Sequence, residues 1–222
     1  MFINALRDLS IFVSLFKKLF IGSINLCSIS EKSEEKIETT INDINFVAYI
    51  DRIDQTGDTL NIIDYKTTKP SASEPSNFNI VELFTSANSA YHEIFQVLFY
   101  CYLYKLSHTQ TKIKMRPSLY KIYSIKNQKG ILQTISVDIP NQLSDKKNLP
   151  PIETNLNEID LTECTTIEII DYEQVRAQFE WLVNKILYDI TNKDIPFAIN
   201  DNDTKQIACM YCPYASLCIR KE

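Results

Sequence analysis

Two short strand-like segments, joined by a turn, constrain the fold of this chain more than any other feature. Residues 46–53 and 59–66 are each rich in β-branched and aromatic residues, which is typical of a β-strand. The residues between them, Asp54-Gln55-Thr56-Gly57-Asp58, are typical of a hairpin turn. The sequence therefore predicts an antiparallel hairpin.

The turn sets the register of this hairpin. A four-residue loop pairs Asp54 with Thr59, and the two-residue period of a strand then places Asp51, Asp64 and Lys66 on one face of the sheet. In that register the two carboxylates are offset diagonally by one step. The buried side is expected to carry three apolar residues: Val47, Ile53 and Ile63.

The three polar side chains are of the types that metal-dependent hydrolysis uses. Two carboxylates can converge on one ion of the Mg²⁺ class, which takes oxygen ligands and keeps several waters. An ammonium beside them can orient or deprotonate the attacking water, or neutralise charge developing on a phosphate. The spacing by itself favours a simpler interpretation, a hairpin with a solvated polar face, so the assignment depends on further motifs.

The order of elements predicts an α/β (α+β) domain. Strands dominate up to residue 66, an apolar helix is predicted over Ala90–Leu106, and an amphipathic helix over Tyr172–Asn192. Further strands are predicted near 118–125 and 131–137. We divide the chain into three parts: an N-terminal helix and linker (1–34), a core (35–193) and a cysteine-containing tail (194–222).

Composition excludes several classes of protein. Of the 222 residues, 45% are hydrophobic, which is incompatible with a wholly disordered chain. The 23 basic and 28 acidic residues give a net charge of −5, which argues against a uniformly basic nucleic-acid-binding surface but leaves a local basic groove open. The apolar run over residues 11–26 contains Lys17 and Lys18 and is too short to span a bilayer. No signal peptide is recognisable, so we expect a cytoplasmic protein without membrane contact.

Motifs along the chain carry a family resemblance. The hairpin contains Tyr-Ile-Asp-Arg-Ile-Asp at residues 49–54 and Ile-Ile-Asp-Tyr-Lys at residues 62–66. Gln96 and Tyr100 follow on the apolar helix, four residues apart and therefore on one helical face. In this order the motifs resemble the PD-(D/E)XK nuclease superfamily, and most closely its RecB-like branch.

The resemblance implies a restriction-endonuclease-like core, a mixed sheet of four or five strands flanked by helices. It implies Mg²⁺- or Mn²⁺-dependent hydrolysis of DNA within a helicase–nuclease that acts in DNA repair, with a helicase domain or subunit as partner. Asp51, Asp64 and the backbone carbonyl of Tyr65 would hold the metal, and Lys66 would position the water. Gln96 and Tyr100 would contact DNA or brace the metal site.

The tail carries a second metal-binding pattern. Cys209, Cys212 and Cys218 have C-x₂-C-x₅-C spacing, which in a cytosolic protein is typical of metal or cluster ligands. The tail resembles that of AddB-like members, which implies a [4Fe–4S] cluster. Such a cluster needs four thiolates. Cys27 is the upstream candidate for the fourth, because Cys101 and Cys164 are expected to be buried structural residues; without it the cluster is incomplete.

Two departures from the family pattern leave alternatives open. Ala48 replaces the family's glycine, and no histidine precedes the hairpin, since the chain has only His92 and His108. We therefore expect residues 1–34 to be the remnant of a longer chain. The alternatives are a catalytically inactive nuclease fold that binds DNA or acts as a scaffold, and a small zinc- or cluster-binding interaction domain.

Overall fold

The computed structural model describes residues 31–67, 77–86, 89–109, 113–122 and 132–195. Its strands and helices, in chain order, are β1 (Glu31–Ile41), β2 (Ile44–Thr56), β3 (Thr59–Lys66), β4 (Phe78–Asn79), α1 (Glu82–Thr85), α2 (Ser89–Ser107), β5 (Lys114–Lys121), β6 (Leu132–Gln133), β7 (Ser136–Pro140), β8 (Cys164–Glu168) and α3 (Arg176–Thr191). Three short 3₁₀ turns occupy Asn141–Leu143, Leu156–Glu158 and Tyr172–Gln174.

The main sheet has five strands in the order β1-β2-β3-β5-β6. All neighbours are antiparallel except β3 and β5, which run parallel. Parallel neighbours need a crossover connection, and β4, α1 and α2 lie in the one between β3 and β5. The expected mixed sheet flanked by helices is confirmed.

A second sheet, β4-β7-β8, was not predicted. Its strand β4 is only two residues long and falls in a segment whose sequence indicates a loop. It is a strand because Phe78 and Asn79 pair with Val137 and Asp138 of β7, nearly 60 residues away. Local periodicity cannot detect such a long-range pairing.

The hydrophobic core lies around α2, which packs against the main sheet and α3. Most of the apolar face of α2 is buried, including Ile94, Val97 and Leu98. Cys101 lies on the same helix with no exposed surface, which confirms its predicted core position. From α3, Phe179 packs its ring 5.8 Å from that of Phe95 on α2. This packing fixes α2, and with it every side chain that α2 presents to the end of β3.

The hairpin register differs from the predicted one. Thr56 pairs with Thr59, so the loop contains only Gly57 and Asp58 instead of four residues. Gly57 has φ +59°, the left-handed conformation that a tight two-residue turn favours and that glycine adopts without strain. The register is therefore shifted by two residues. A shift of two keeps every side chain on its predicted face, because the strand period is also two.

The pattern of burial along β2 changes phase in the middle of the strand. Ala48 and Ile50 are buried while Val47 is 56% exposed, so the prediction that Val47 lies on the buried side is wrong. Beyond Asp51 the phase is reversed, and Ile53 is buried as predicted, as is Ile63 on β3. A single strict alternation cannot describe this strand.

The predicted N-terminal helix and the cysteines of the tail lie outside the described residues. Within the described part of the chain, no helix combines the length and apolarity needed to cross a bilayer.

Candidate active site where two strands part

The backbone pairing between β2 and β3 ends next to the predicted site. The last paired residues are Arg52 and Ile63, and the next two in register are Asp51 and Asp64. β3 continues alongside β5 as far as Lys66, so it stays in the sheet while its pairing with β2 stops. On the other side of β2, Glu34 has φ +57° and interrupts the β1–β2 ladder opposite Asp51. Asp51 and Asp64 therefore face each other where the strands part, rather than at the diagonal offset that was predicted.

The side chain of Asp51 takes over a backbone hydrogen bond at this point. The Tyr65 N–H donates to Oδ2 of Asp51 at 2.9 Å. A backbone donor that has lost its ladder partner needs another acceptor, and this carboxylate supplies it. The contact ties Asp51 on β2 to the main chain that immediately follows Asp64 on β3.

Asp64 is buried, although the sequence alone favoured a solvated face. The residue is only 3% exposed, and burial raises the pKa of its carboxyl from 3.8 to about 6. Lys66 opposes this shift, since its Nζ lies 2.7 Å from Oδ2 of Asp64, whereas the charges of Asp51 and Glu93 add to it. A buried carboxylate of raised pKa beside other acidic groups is typical of functional sites.

A chain of hydrogen bonds joins Lys66 to α2. Lys66 Nζ donates to Oε1 of Gln96 at 2.8 Å, and Nε2 of Gln96 donates to the Tyr100 hydroxyl at 2.7 Å. Burial raises the pKa of Tyr100, and the charges of Asp64 and Asp51 raise it further, so the phenol stays neutral. The structure thus brings together five residues that the sequence singled out: Asp51, Asp64, Lys66, Gln96 and Tyr100.

The donor atoms of this site fit a hard divalent cation. Mg²⁺ is commonly held by one or two carboxylates and keeps several waters, and Asp51 and Asp64 provide two carboxylates at one place. The backbone carbonyl of Tyr65 belongs to the same segment. Burial is the main reason that the pKa of Asp64 is raised, and the nearby negative charges of Asp51 and Glu93 raise it further against the opposing effect of Lys66. Within the described residues, no three His, Cys, Asp or Glu side chains form a metal-binding group.

The predicted cluster ligands Cys209, Cys212 and Cys218 lie outside the described residues, as does Cys27. Cys164, at the start of β8, is partly exposed; its Sγ lies 3.4 Å from the Asn79 side-chain amide.

The sequence did not identify Glu93 as a residue near the site, and it indicated no role for Arg52. Glu93 lies three residues before Gln96 on α2, a spacing that indicates a shared helical face. Arg52 Nε donates to Oδ1 of Asp54 at 2.7 Å, and its Nη1 donates to the Tyr65 hydroxyl at 3.3 Å. His92 does not turn toward the site, because its ring nitrogen contacts the Ser86 carbonyl at 3.3 Å.

A separate cavity of about 360 Å³ opens beside the smaller sheet. Its lining includes Asn79, Glu82, Asp138, Cys164 and Thr166, and it shares no residue with the site at the parting of β2 and β3.

Comparison with known proteins gives one family. The model of the PD-(D/E)XK nuclease superfamily matches residues 21–219, nearly the whole of the 222-residue chain. No curated protein matches the chain at a significant level.

Proposed function

The chain belongs to the PD-(D/E)XK nuclease superfamily, and from this membership and the geometry of the site we propose that it is a metal-dependent deoxyribonuclease of the RecB-like type. The substrate is the phosphodiester backbone of DNA. The observation that carries the proposal is the arrangement at the parting of β2 and β3, where Asp51 faces the buried Asp64 and the Lys66 ammonium lies 2.7 Å from Asp64.

Asp51, Asp64 and the Tyr65 carbonyl hold the metal in this proposal. Mg²⁺ or Mn²⁺, when bound, lowers the pKa of a ligating water and stabilises negative charge on a phosphate. The protein's contribution is to hold two carboxylates close together at a buried place. Without a cation between them, their two negative charges repel each other. The pKa of Asp64 is raised mainly by burial, and the charge of Asp51 adds to the shift.

Lys66 positions the attacking water or contacts a phosphate oxygen. Its ammonium has three donors; it donates one hydrogen bond to Gln96 and forms an ion pair with Asp64. In this proposal a further donor of the ammonium serves the reacting groups. Gln96 and Tyr100 act as a brace, because their two hydrogen bonds fix where the ammonium can lie.

The wider context is also part of the proposal. The order of motifs from the hairpin to Gln96 and Tyr100 favours the nuclease module of a helicase–nuclease that acts in DNA repair in the cytoplasm, with a helicase domain or subunit as partner. The spacing of Cys209, Cys212 and Cys218 favours a [4Fe–4S] cluster completed by a fourth ligand.

The proposal is tested by incubating the purified chain with linear DNA and Mg²⁺. We expect cleavage that stops when the metal is chelated and that Asp51→Asn abolishes. Glu168→Gln is the matched control, because Glu168 is an exposed carboxylate on β8. Its variant should cleave at the wild-type rate.

The same experiment separates the enzyme from an inactive relative. DNA binding without cleavage in Mg²⁺ or Mn²⁺ would contradict the proposal and favour the alternative of a nuclease fold that binds DNA without cutting it.

A further inference from the structure

Arg52 and Asp54 belong to the hairpin motif, yet the proposed chemistry uses neither of them. Adjacent residues of a strand point to opposite faces of the sheet, so Arg52 lies on the face opposite Asp51. Asp54 shares this face, and Arg52 Nε donates to its Oδ1 at 2.7 Å. A guanidinium held by a carboxylate has a fixed orientation. The Arg52 side chain is only 26% exposed, which restricts it further.

The fixed guanidinium reaches across to β3. Its Nη1 donates to the Tyr65 hydroxyl at 3.3 Å, and the Tyr65 ring packs edge-on against Tyr120 of β5 with centroids 5.3 Å apart. Arg52 is paired with Ile63, so the contact runs diagonally to the residue two positions further along β3. A row of side chains, Asp54, Arg52, Tyr65 and Tyr120, thus crosses three strands.

This row lies where the backbone can no longer hold the strands together. The β2–β3 ladder stops at Arg52 and Ile63. Side-chain contacts still cross the gap there, among them the hydrogen bond from the Tyr65 N–H to Asp51 on one face and the one from Arg52 to the Tyr65 hydroxyl on the other. Both act on Tyr65, whose backbone carbonyl is a proposed metal ligand.

We infer that Arg52, oriented by Asp54, is a positioning residue that holds Tyr65 so that its carbonyl and the Asp51 carboxylate keep the spacing a divalent cation requires. The inference rests on the proposed function. Mg²⁺ demands near-ideal octahedral geometry with ligands at about 2.0–2.1 Å, so a small drift of β3 away from β2 weakens binding. Groups that orient the ligands of a metal commonly affect its affinity.

The test measures metal binding without catalysis. Mn²⁺ is titrated into the full chain in the absence of DNA, and free Mn²⁺ is followed by electron paramagnetic resonance. Tyr65→Phe removes only the hydroxyl and keeps the ring against Tyr120. We expect Tyr65→Phe and Arg52→Ala each to weaken Mn²⁺ binding about fivefold, the size of one hydrogen bond. The double variant should be no weaker than the weaker single one, because both changes break the same contact. Arg116→Ala, which removes an exposed arginine of β5, is the control and should bind like the wild type.

A second measurement separates positioning from general destabilisation. Excess Mn²⁺ should restore DNA cleavage by Arg52→Ala, and it should not restore cleavage by Asp51→Asn. If Arg52→Ala fails to fold, Tyr65→Phe alone decides the matter. Wild-type Mn²⁺ affinity in Tyr65→Phe, or fully additive losses in the double variant, would overturn this inference and leave the proposed function standing. A wild-type chain that neither binds Mn²⁺ nor cleaves DNA would overturn both.

Discussion

Two polar regions in the described part of the chain each bring two carboxylates together, and they differ in the groups that pair with those carboxylates. Beside the smaller sheet, Glu82 accepts from the Tyr91 hydroxyl at 2.6 Å and Asp138 accepts from the Thr166 hydroxyl at 2.5 Å. These partners are neutral. At the parting of β2 and β3, Asp64 is buried against an ammonium, and Asp51 accepts a backbone N–H released from the ladder.

The comparison shows that available space is a poor guide to chemistry here. The region beside the smaller sheet has the cavity of about 360 Å³, but none of the described residues that line it is a lysine or an arginine. The region at the parting of the strands has the perturbed carboxyl, the ammonium and the brace from α2. Charge held in a place where burial makes it costly is what distinguishes the proposed cation site from the hydrogen-bonded surface pocket.

The largest effect should come from Asp64→Ala. Losing one of two proposed metal-binding carboxylates removes several kcal/mol of stabilisation, so Mg²⁺-dependent cleavage should fall by about 1,000-fold or more. Asp138→Ala, the equivalent change in the other region, should leave the cleavage rate of linear DNA within about twofold. Equal losses in the two variants would remove the distinction between the regions.

Lys66→Ala should lower turnover by about 100-fold, the typical cost of removing a preorganised donor to developing charge. Mn²⁺ binding should persist, because an ammonium is not a metal ligand. Lys185 offers a matched control: its side chain is 5% exposed and forms an ion pair with Asp189 on the same helix. Lys185→Ala should instead lower the free energy of unfolding by about 1 to 3 kcal/mol with turnover retained. Full turnover in Lys66→Ala would show that Lys66 has no part in catalysis and is only a structural charge.

The pKa of Asp64 predicts a pH dependence of stability. Its folded value of about 6 lies above the ordinary 3.8, so between these pH values the unfolded chain ionises while the folded one stays protonated. The contribution of this group to stability is therefore greatest below pH 4, falls as the pH rises to 6, and stays low above it. Asp64→Asn should abolish this dependence and raise the free energy of unfolding at pH 7 by about 3 kcal/mol, measured by urea denaturation in the presence of a chelator. A variant less stable than the wild type at pH 7 would contradict the assignment.

Gln96→Ala should have the smallest effect. It removes the acceptor for Lys66 and the donor to Tyr100 but leaves the ammonium beside Asp64. We expect turnover to fall about fivefold, the cost of losing one hydrogen bond that orients a side chain. Gln178→Ala is the control, since Gln178 is a buried glutamine that bonds the Leu143 carbonyl away from the site. A larger loss of turnover in the control would show that the assay reports stability rather than chemistry.

Much of the main sheet could be predicted from the sequence. The β-branched and aromatic residues of β2 and β3 located both strands, and the extent of β3 was predicted to the residue. The set of residues that converge at the site was also predicted, since the faces of a hairpin survive a register shift of two. The loop length was wrong because Gln55 and Thr56 suit either a loop or a strand, and only Gly57 demands a special conformation.

Other features depended on contacts that no local pattern encodes. The burial of Asp64 follows from the packing of α2 over the end of β3. The same packing brings Gln96 to Lys66, the lysine that pairs with Asp64. The change of phase in β2 follows from its interruption beside Glu34 and Asp51. The smaller sheet forms because β4 pairs with β7, which lies nearly 60 residues further along the chain.

The parallel pairing of β3 with β5 sets the order in which this protein can acquire its activity during folding. The hairpin that carries Asp51, Asp64 and Lys66 involves only neighbours in sequence and can form early. Gln96 and Tyr100 reach Lys66 only when α2 has docked and the crossover has closed, and such non-local contacts form slowly. A nascent chain that extends only as far as β3 therefore holds the acidic residues without their brace. We expect the proposed DNA cleavage to appear late, after the crossover is complete, so that an unfinished chain does not cleave.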